Sequence, residues 1–307
     1  MFPDFPNFVP VSLDDKERYN QLVADYPPFA DISFTNLHIW WNLGGKLGAC
    51  LLNSNLVLNY DLPFDRPNSG WGLIGNDRID ESIQTIFDYL KVHHRRPKIV
   101  HMPEFTLERI KDSSGLKITE ESDFHEYIMS SRQLAELEGA DHSRSRRKVN
   151  RFLRETGDAE VEVKSLDLTS AENRKMLTSV VKEWHQKYAS PNDPERLEEQ
   201  ALERTLTHSP VLGTLNLCVF IDGQLHGLSL YHPTPDGQHY IINHMRVDYR
   251  YPHIFDYVTQ QVAQSAVDHN VPFLNMEMDL GMEGLRRHKM GLRPVKFYKK
   301  FTVEPKS

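Results

Sequence analysis

Residues 215–247 restrict the fold more than any other stretch. Three apolar runs, 215–221, 224–231 and 238–247, are separated by Asp222-Gly223 and by the Pro- and Gly-bearing loop 233–237. Asp-Gly between two alternating runs is a strong hairpin signal, because a two-residue turn needs backbone dihedrals that Asp and Gly tolerate. The stretch therefore reads as a three-stranded antiparallel meander. A helical pattern over 255–270 follows, then a strand-like segment over 272–280, a short helix and a final strand at 295–303. An all-helical fold is excluded.

The rest of the chain repeats the mixture. Ser12 with Asp15 three residues later forms a capping box that opens a helix to about Asp25, before Pro27-Pro28. Residues 32–41 are a second apolar block, and strand-like runs at 46–51 and 55–60 flank Asn53-Ser54 as a hairpin. Ile79, Ile83, Ile86, Phe87 and Leu90 recur at helical spacing, and 98–101 reads as a buried strand. A helix at 103–111, a strand at 124–129, helix from 132 onward, a strand at 161–163 and helices over 171–188 and 194–207, separated by a loop at 190–193, complete the order. With 307 residues there is chain enough for two cores. The fold class expected is α+β, with mixed, mostly antiparallel sheets flanked by helices and two domains, 1–155 and 156–307.

Hydrophobic residues make up 39% and charged ones 26%, the profile of a soluble globular protein. No apolar run approaches the roughly 18–20 residues of a membrane helix. The start, Met1-Phe-Pro-Asp-Phe-Pro, lacks the basic and apolar regions of a secretory signal. Two cysteines, Cys50 and Cys218, cannot staple a chain of this size. A cytoplasmic protein without a membrane-spanning segment is expected.

The formal net charge of −7 excludes a bulk polyanion binder but not a local basic site. From 144 to 154, six of eleven residues are Lys or Arg and none is acidic. At helical spacing Arg144, Arg147, Lys148, Arg151 and Arg154 share one face, while Val149, Phe152 and Leu153 provide an apolar one. Like charges at i, i+3 and i+4 repel unless an anion offsets them. The stripe is therefore either a solvated face paired with nearby acids or a site for a phosphate-bearing ligand, with tRNA or an anionic lipid headgroup the main options. Residues 286–300 form a second cationic tract, seven Lys or Arg without an acid.

In the segment 275–281 the period-2 rule places Asn275, Glu277 and Asp279 on one face of the strand. Buried carboxylates need partners, so Glu277 and Asp279 are read as lining a polar cleft. Arg286 and Lys289 fall one helical turn apart beyond the turn at Gly281. Asp279 either pins that turn by pairing with Arg286 or faces substrate, and the two roles are compatible.

Other signals are weaker. Gly44-Gly-Lys-Leu-Gly48 lacks the spacing of a phosphate-binding loop and reads as a turn. Fifteen histidines include no metal-ligand spacing, so no metal is expected. Cys218 sits in an apolar run and reads as core rather than nucleophile.

The segment Leu134-Ala-Glu-Leu-Glu-Gly-Ala-Asp-His-Ser-Arg-Ser-Arg-Arg-Lys-Val-Asn-Arg-Phe-Leu153, with Asn275-Met-Glu-Met-Asp-Leu-Gly-Met-Glu-Gly-Leu-Arg-Arg-His-Lys289 downstream, resembles the phosphatidylglycerol lysyltransferase C-terminal domain family, which includes soluble stand-alone proteins of undefined function. Ile32-Ser-Phe-Thr-Asn-Leu-His-Ile-Trp40 and Pro294-Val-Lys-Phe-Tyr-Lys-Lys-Phe-Thr-Val303 look like further landmarks of it. The resemblance implies tandem acetyltransferase-like (GNAT) domains that move an amino acid from aminoacyl-tRNA to a lipid, peptide or small-molecule acceptor. On that reading Glu277 and Asp279 are the catalytic pair. Asn275, Arg286 and Lys289 bind substrate, and Arg144, Arg147, Lys148 and Arg151 bind tRNA or another phosphate. No cofactor is implied. Where an acetyl-CoA enzyme places a glycine-rich pyrophosphate loop, this chain has Val247-Asp-Tyr-Arg-Tyr-Pro-His-Ile254, whose side chains keep backbone amides from phosphate. The rivals are an acyl-CoA-dependent N-acetyltransferase and a non-catalytic tRNA- or phosphate-binding module.

Overall fold

The meander forms at the expected residues. Strands Leu215–Ile221, Gln224–Pro233 and His239–Val247 pair antiparallel, and the first hairpin turns through Asp222 and Gly223, both in the left-handed region with φ of 49° and 76°. The computed structural model describes residues 2–43, 47–61, 69–188 and 195–306. The turn read at 44–48 lies largely, and the loop read at 190–193 wholly, outside the described residues.

The chain divides into two compact units. One comprises residues 127–277 and 283–296, the other residues 1–126, 278–282 and 297–307. This is not the expected division near 155. The basic helix belongs by its contacts with the meander unit, and the C-terminal segment returns to the first unit. Long-range strand pairing joins residues far apart in sequence, which no local pattern announces.

In the meander unit, strand Phe273–Asn275 runs parallel to the last meander strand, pairing His239 with Phe273 and Ile241 with Asn275. Parallel neighbours cannot be joined by a tight turn, and helix Ile254–Asp268 makes the crossover. Beyond it the strand Glu126–Ser130 joins antiparallel, Leu274 opposite Met129. On the other edge, Val161–Lys164 pairs with Leu215–Ile221. Helices Ala171–Tyr188 and Glu195–Thr207 bury Leu177, Val181, Leu202 and Leu206 against Cys218, Phe220, Leu228 and Leu230.

The other unit holds two sheets. Four strands, Val9–Pro10, Gly48–Leu52, Asn55–Asp61 and Ser69–Ile74, form a meander, with the hairpin turn at Asn53 and Ser54 in left-handed backbone as expected. Helix Ile79–Val92 packs its Ile79, Ile83, Ile86, Phe87 and Leu90 onto that sheet, against Val57, Trp71 and Leu73. The second sheet places Lys300–Pro305 between Ile99–Pro103 and Leu116–Glu120. The capping box is present, the Ser12 amide donating to the Asp15 carboxylate at 2.8 Å.

Several expected elements change length. The helix read at 103–111 shortens to Glu104–Leu107, and the helix from 132 breaks at Leu137 and Gly139, both at positive φ, into Ser131–Glu136 and Ser143–Glu155. Strands Ser69–Ile74 and Leu116–Glu120 were not expected. No helix among the described residues is long and apolar enough to cross a membrane.

A polar cluster is buried in this unit. The Glu121 carboxylate accepts the His101 amide at 2.9 Å and the Thr302 hydroxyl at 2.7 Å, and lies 3.2 Å from His101 Nδ1, an ion-pair contact too bent to be a good hydrogen bond. Burial pushes the Glu121 carboxyl up, but pairing with His101 and the bond from Thr302 outweigh it and bring it to about 2. A depressed carboxylate stabilises the fold above its unfolded value, and that stability is lost as pH falls through the folded one. From the ordinary 4.5 to about 2, the loss amounts to about 3 kcal/mol. Urea midpoints of Glu121→Gln are expected to lack this contribution at neutral pH and to fall less than wild type below pH 4.5; parallel acid profiles would contradict it.

Candidate functional site

The segment 275–281 does not form the strand expected over 272–280. Pairing stops at Asn275, and Glu277, Leu280 and Gly281 take φ of 56°, 55° and 73°. A chain that turns left-handed three times in five residues is not pleated, so the alternation that placed Asn275, Glu277 and Asp279 on one face does not apply. Each of the three is instead held by a bond of its own. Asn275, fully buried, accepts the Glu277 amide on its Oδ1 at 2.9 Å. The Glu277 carbonyl accepts the Tyr127 amide at 3.2 Å, which pins a backbone geometry that costs a non-glycine residue of order 1–3 kcal/mol. Asp279, also fully buried, accepts the Gly281 amide at 2.8 Å and belongs with the other unit. At Gly281 a Cβ would stand 2.9 Å from the Asp123 carboxylate, so the turn needs glycine for space as well as for φ.

Glu277 is only half-buried, and a side chain that the sequence reading missed stands behind it. Asn243 Nδ2 donates to Glu277 Oε1 at 3.3 Å, and Asn243 Oδ1 lies 2.8 Å from Nδ1 of the buried His232. The available signal was the polar Asn243 inside the apolar run 238–247, since a buried amide in a strand needs partners.

The basic helix Ser143–Glu155 docks as its periodicity requires, burying Ser145, Val149 and Phe152, with the Phe152 ring 4.8 Å from Tyr257 of the crossover helix. Leu153, expected on the docking face, is exposed. The cations divide by task. Arg146 donates to the carbonyls of Leu137 and Gly139 and so ties down the break before the helix. Lys148 pairs with Asp256 at 2.8 Å, and Arg151 with Glu155 at 2.6 Å. Arg144 and Arg147 are exposed, and among the described residues neither has an ion-pair or hydrogen-bond partner.

Asp256 pairs with Lys148 of the basic helix and lies near His288, within the second cationic tract. It stands in the first turn of the crossover helix, where a carboxylate suits the helix dipole. Next to it, Phe255 packs edge-on against His288 at 4.8 Å. Burial lowers the His288 imidazole, Asp256 opposes, and Lys148 and Lys289 lower it further. Lys289 is buried, with its ammonium 5.7 Å from the centre of the Tyr127 ring. Arg286 lies on the same helix, Glu283–Gly291, and is half-buried. The rest of the second tract disperses. Arg287 pairs with Glu283 at 2.6 Å, Lys299 with Glu120 at 3.4 Å, and Lys300 is enclosed between Asp31 and Glu126. It forms no continuous cationic surface.

The turn entering the crossover helix is closed by the protein's own carboxylate. Asp248, 1% exposed, lies 3.1 Å from His226 Nδ1 and accepts the Arg250 amide at 3.1 Å and Arg250 Nε at 2.7 Å. These are the kinds of donor that an incoming pyrophosphate would recruit. Cys50 and Cys218 are buried, and burial pushes both thiols up to about 12, far from thiolate nucleophiles.

Among curated proteins none matches the sequence significantly. Solved structures do match the fold. A protein of unknown function from Bacteroides thetaiotaomicron superposes with a TM-score of 0.84 at 18% identity, covering 100% of both chains. L-PGS from Bacillus licheniformis superposes at 0.62 and 15% identity, covering 95% of this chain and 92% of that one. FemX superposes at 0.59 and 9% identity, covering 98% and 97%. At these identities the likeness establishes the fold alone, a mixed α+β arrangement of mostly antiparallel sheets flanked by helices. The sequence carries the lineage: the family model for the C-terminal region of phosphatidylglycerol lysyltransferase matches residues 69–304, and the chain belongs to that family of transferases.

Proposed function

We propose that this protein transfers an amino acid from aminoacyl-tRNA to an acceptor hydroxyl or amine. The observation that carries the reading is a carboxylate, Glu277, set in a strained but fully pinned turn, in a chain whose basic helix leaves Arg144 and Arg147 open to a phosphate backbone. The acceptor oxygen or nitrogen attacks the ester carbonyl that joins the amino acid to the tRNA ribose. The bond from that carbon to the acceptor forms, the bond to the ribose oxygen breaks, and the acceptor's proton passes through Glu277 to the departing ribose oxygen. The ester is already activated, so positioning and proton transfer are the protein's main contributions. Asn275 and Asp279 hold the turn, and Arg286 and Lys289 stand on the helix beyond it to face the donor. Lys148 is tied to Asp256 and acts as a strut rather than a phosphate ligand.

Transfer is tested with tRNA charged with labelled amino acids and two acceptors, phosphatidylglycerol vesicles and a cell extract. Label is expected to move to one of them. Micromolar affinity for CoA without tRNA binding would overturn the reading in favour of an acyl-CoA enzyme, and tRNA binding without transfer would leave a binding module. For the basic helix, replacing Arg144 and Arg147 together by Gln is expected to reduce the slope of log affinity against log salt by about 1–2. An unchanged slope would remove the helix from the tRNA site.

A further inference from the structure

We infer that Asn243 is the positioning residue for Glu277, holding the carboxylate through a hydrogen-bond chain that ends on His232. This rests on the reading of Glu277 as the group that handles the acceptor's proton.

The sheet itself places Asn243. Along the central hairpin Leu230 faces His244 and Tyr231 faces Ile242, so the strand register skips Asn243 and the strand bulges there. An extra residue in one strand re-aims its side chain and bends the strand locally. The bulge is what lets one amide reach both His232 on the neighbouring strand and Glu277 beyond the end of strand Phe273–Asn275. An in-register polar residue would follow the alternation of its neighbours.

The direction of the chain follows from the chemistry of its ends. An ionised carboxylate only accepts hydrogen bonds, so the atom of Asn243 facing Glu277 at 3.3 Å is the amide nitrogen. Its oxygen then faces His232 at 2.8 Å, so His232 donates from Nδ1. The buried imidazole, 4% exposed, thereby orients the amide, and the amide presents an N–H to one carboxylate oxygen of Glu277. The Glu277 backbone is fixed independently by Asn275 and Tyr127. Main chain and carboxylate are thus held by different partners, and only the second set involves Asn243. Supporting hydrogen bonds of this kind fix the orientation of a functional side chain, and misplacing it by about 1 Å costs on the order of 100-fold in rate.

Asn243→Asp separates shape from donation. It keeps the volume and the acceptor for His232 but replaces the N–H that faces Glu277 with a second carboxylate oxygen. The expected result in the tRNA-dependent transfer assay is a fall in kcat of about 10- to 100-fold, with KM for charged tRNA within about two-fold and a melting temperature near wild type. Asn243→Gln, which keeps the donor on a longer arm, should recover part of kcat. Unchanged kcat in Asn243→Asp, or a loss confined to KM, would overturn the positioning role while leaving the transfer reading intact. A second measurement does not depend on turnover. Nitrogen-15 spectra of the wild-type imidazoles are expected to show His232 protonated at Nδ1, and its signal should move on Glu277→Gln. Protonation at Nε2 alone would reverse the amide and overturn the chain of bonds. If wild type transfers nothing to any acceptor, the function reading fails, and the His232 spectrum still decides the hydrogen-bond assignment.

Discussion

Replacing Lys300 by Met should cost about 3–5 kcal/mol of stability, the usual consequence of removing one partner from a buried ion cluster. Lys300 is 1% exposed and its ammonium lies between Asp31 and Glu126, 2.8 Å from Glu126 Oε1. Glu126, fully buried, also accepts the Ala30 amide at 2.7 Å. Two carboxylates therefore depend on one cation. Met fills much of the volume but leaves both anions without it, and an uncompensated charge in a low-dielectric interior is costly. Burial alone would lower the Lys300 ammonium, and Asp31 and Glu126 outweigh it and raise it. Its contribution is therefore complete at neutral pH and is lost only as pH climbs through the raised folded value. Chemical denaturation measures the loss. A drop below about 1 kcal/mol would show that the cluster is not held as described, and adding Asp31→Asn and Glu126→Gln to Lys300→Met should recover part of it, because the orphaned charges are gone.

Glu277→Gln is expected to lower kcat for amino-acid transfer by about 10²- to 10⁴-fold, the range of a lost acid–base group, with tRNA affinity unchanged. Gln keeps the shape and the backbone bonds to Asn275 and Tyr127, so folding should be preserved. Asp279→Asn is the informative contrast. Asp279 Oδ1 accepts the Gly281 amide, and an Asn carbonyl can do the same, so activity should fall far less than in Glu277→Gln. Equal losses would place Asp279 beside Glu277 in the proton transfer, and a fully active Glu277→Gln would remove Glu277 from it. Rapid quench with charged tRNA reads both variants.

The meander, the capping box, the helix Ile79–Val92 and the docking face of the basic helix were legible because each is dictated by neighbours within a few residues. The hairpin at Asp222-Gly223 needs only its own dihedrals, and burial of Val149 and Phe152 only a helical period. Charge was less legible. Residues 286–300 look like a continuous cationic tract, yet Lys300 is interior and Arg287 and Lys299 are paired. A lysine written in sequence does not say which acid, hundreds of positions away, it will meet. The strand expected over 272–280 stops at Asn275 for a related reason. Its alternation of polar and apolar residues is genuine, but the turn is imposed by Asp123, Tyr127 and Gly281 rather than by local propensity.

The α+β class, the family and the residues to test first, Glu277 and the arginines of residues 144–154 above all, could be read from the order of residues along the chain. Hydrophobic period and turn chemistry are short-range, and short-range terms can be read along a chain. Which of those residues are exposed and which are paired follows from their packing in three dimensions. Lys148 is spent on Asp256, Asp279 on its own turn, and Lys300 on a buried cluster, whereas Arg144 and Arg147 stay exposed. That packing alone revealed Asn243, because a bulge in one strand and the end of another must be brought together before an amide can face a carboxylate. Burial and pairing are sums over distant residues, and folding in three dimensions is what performs that sum.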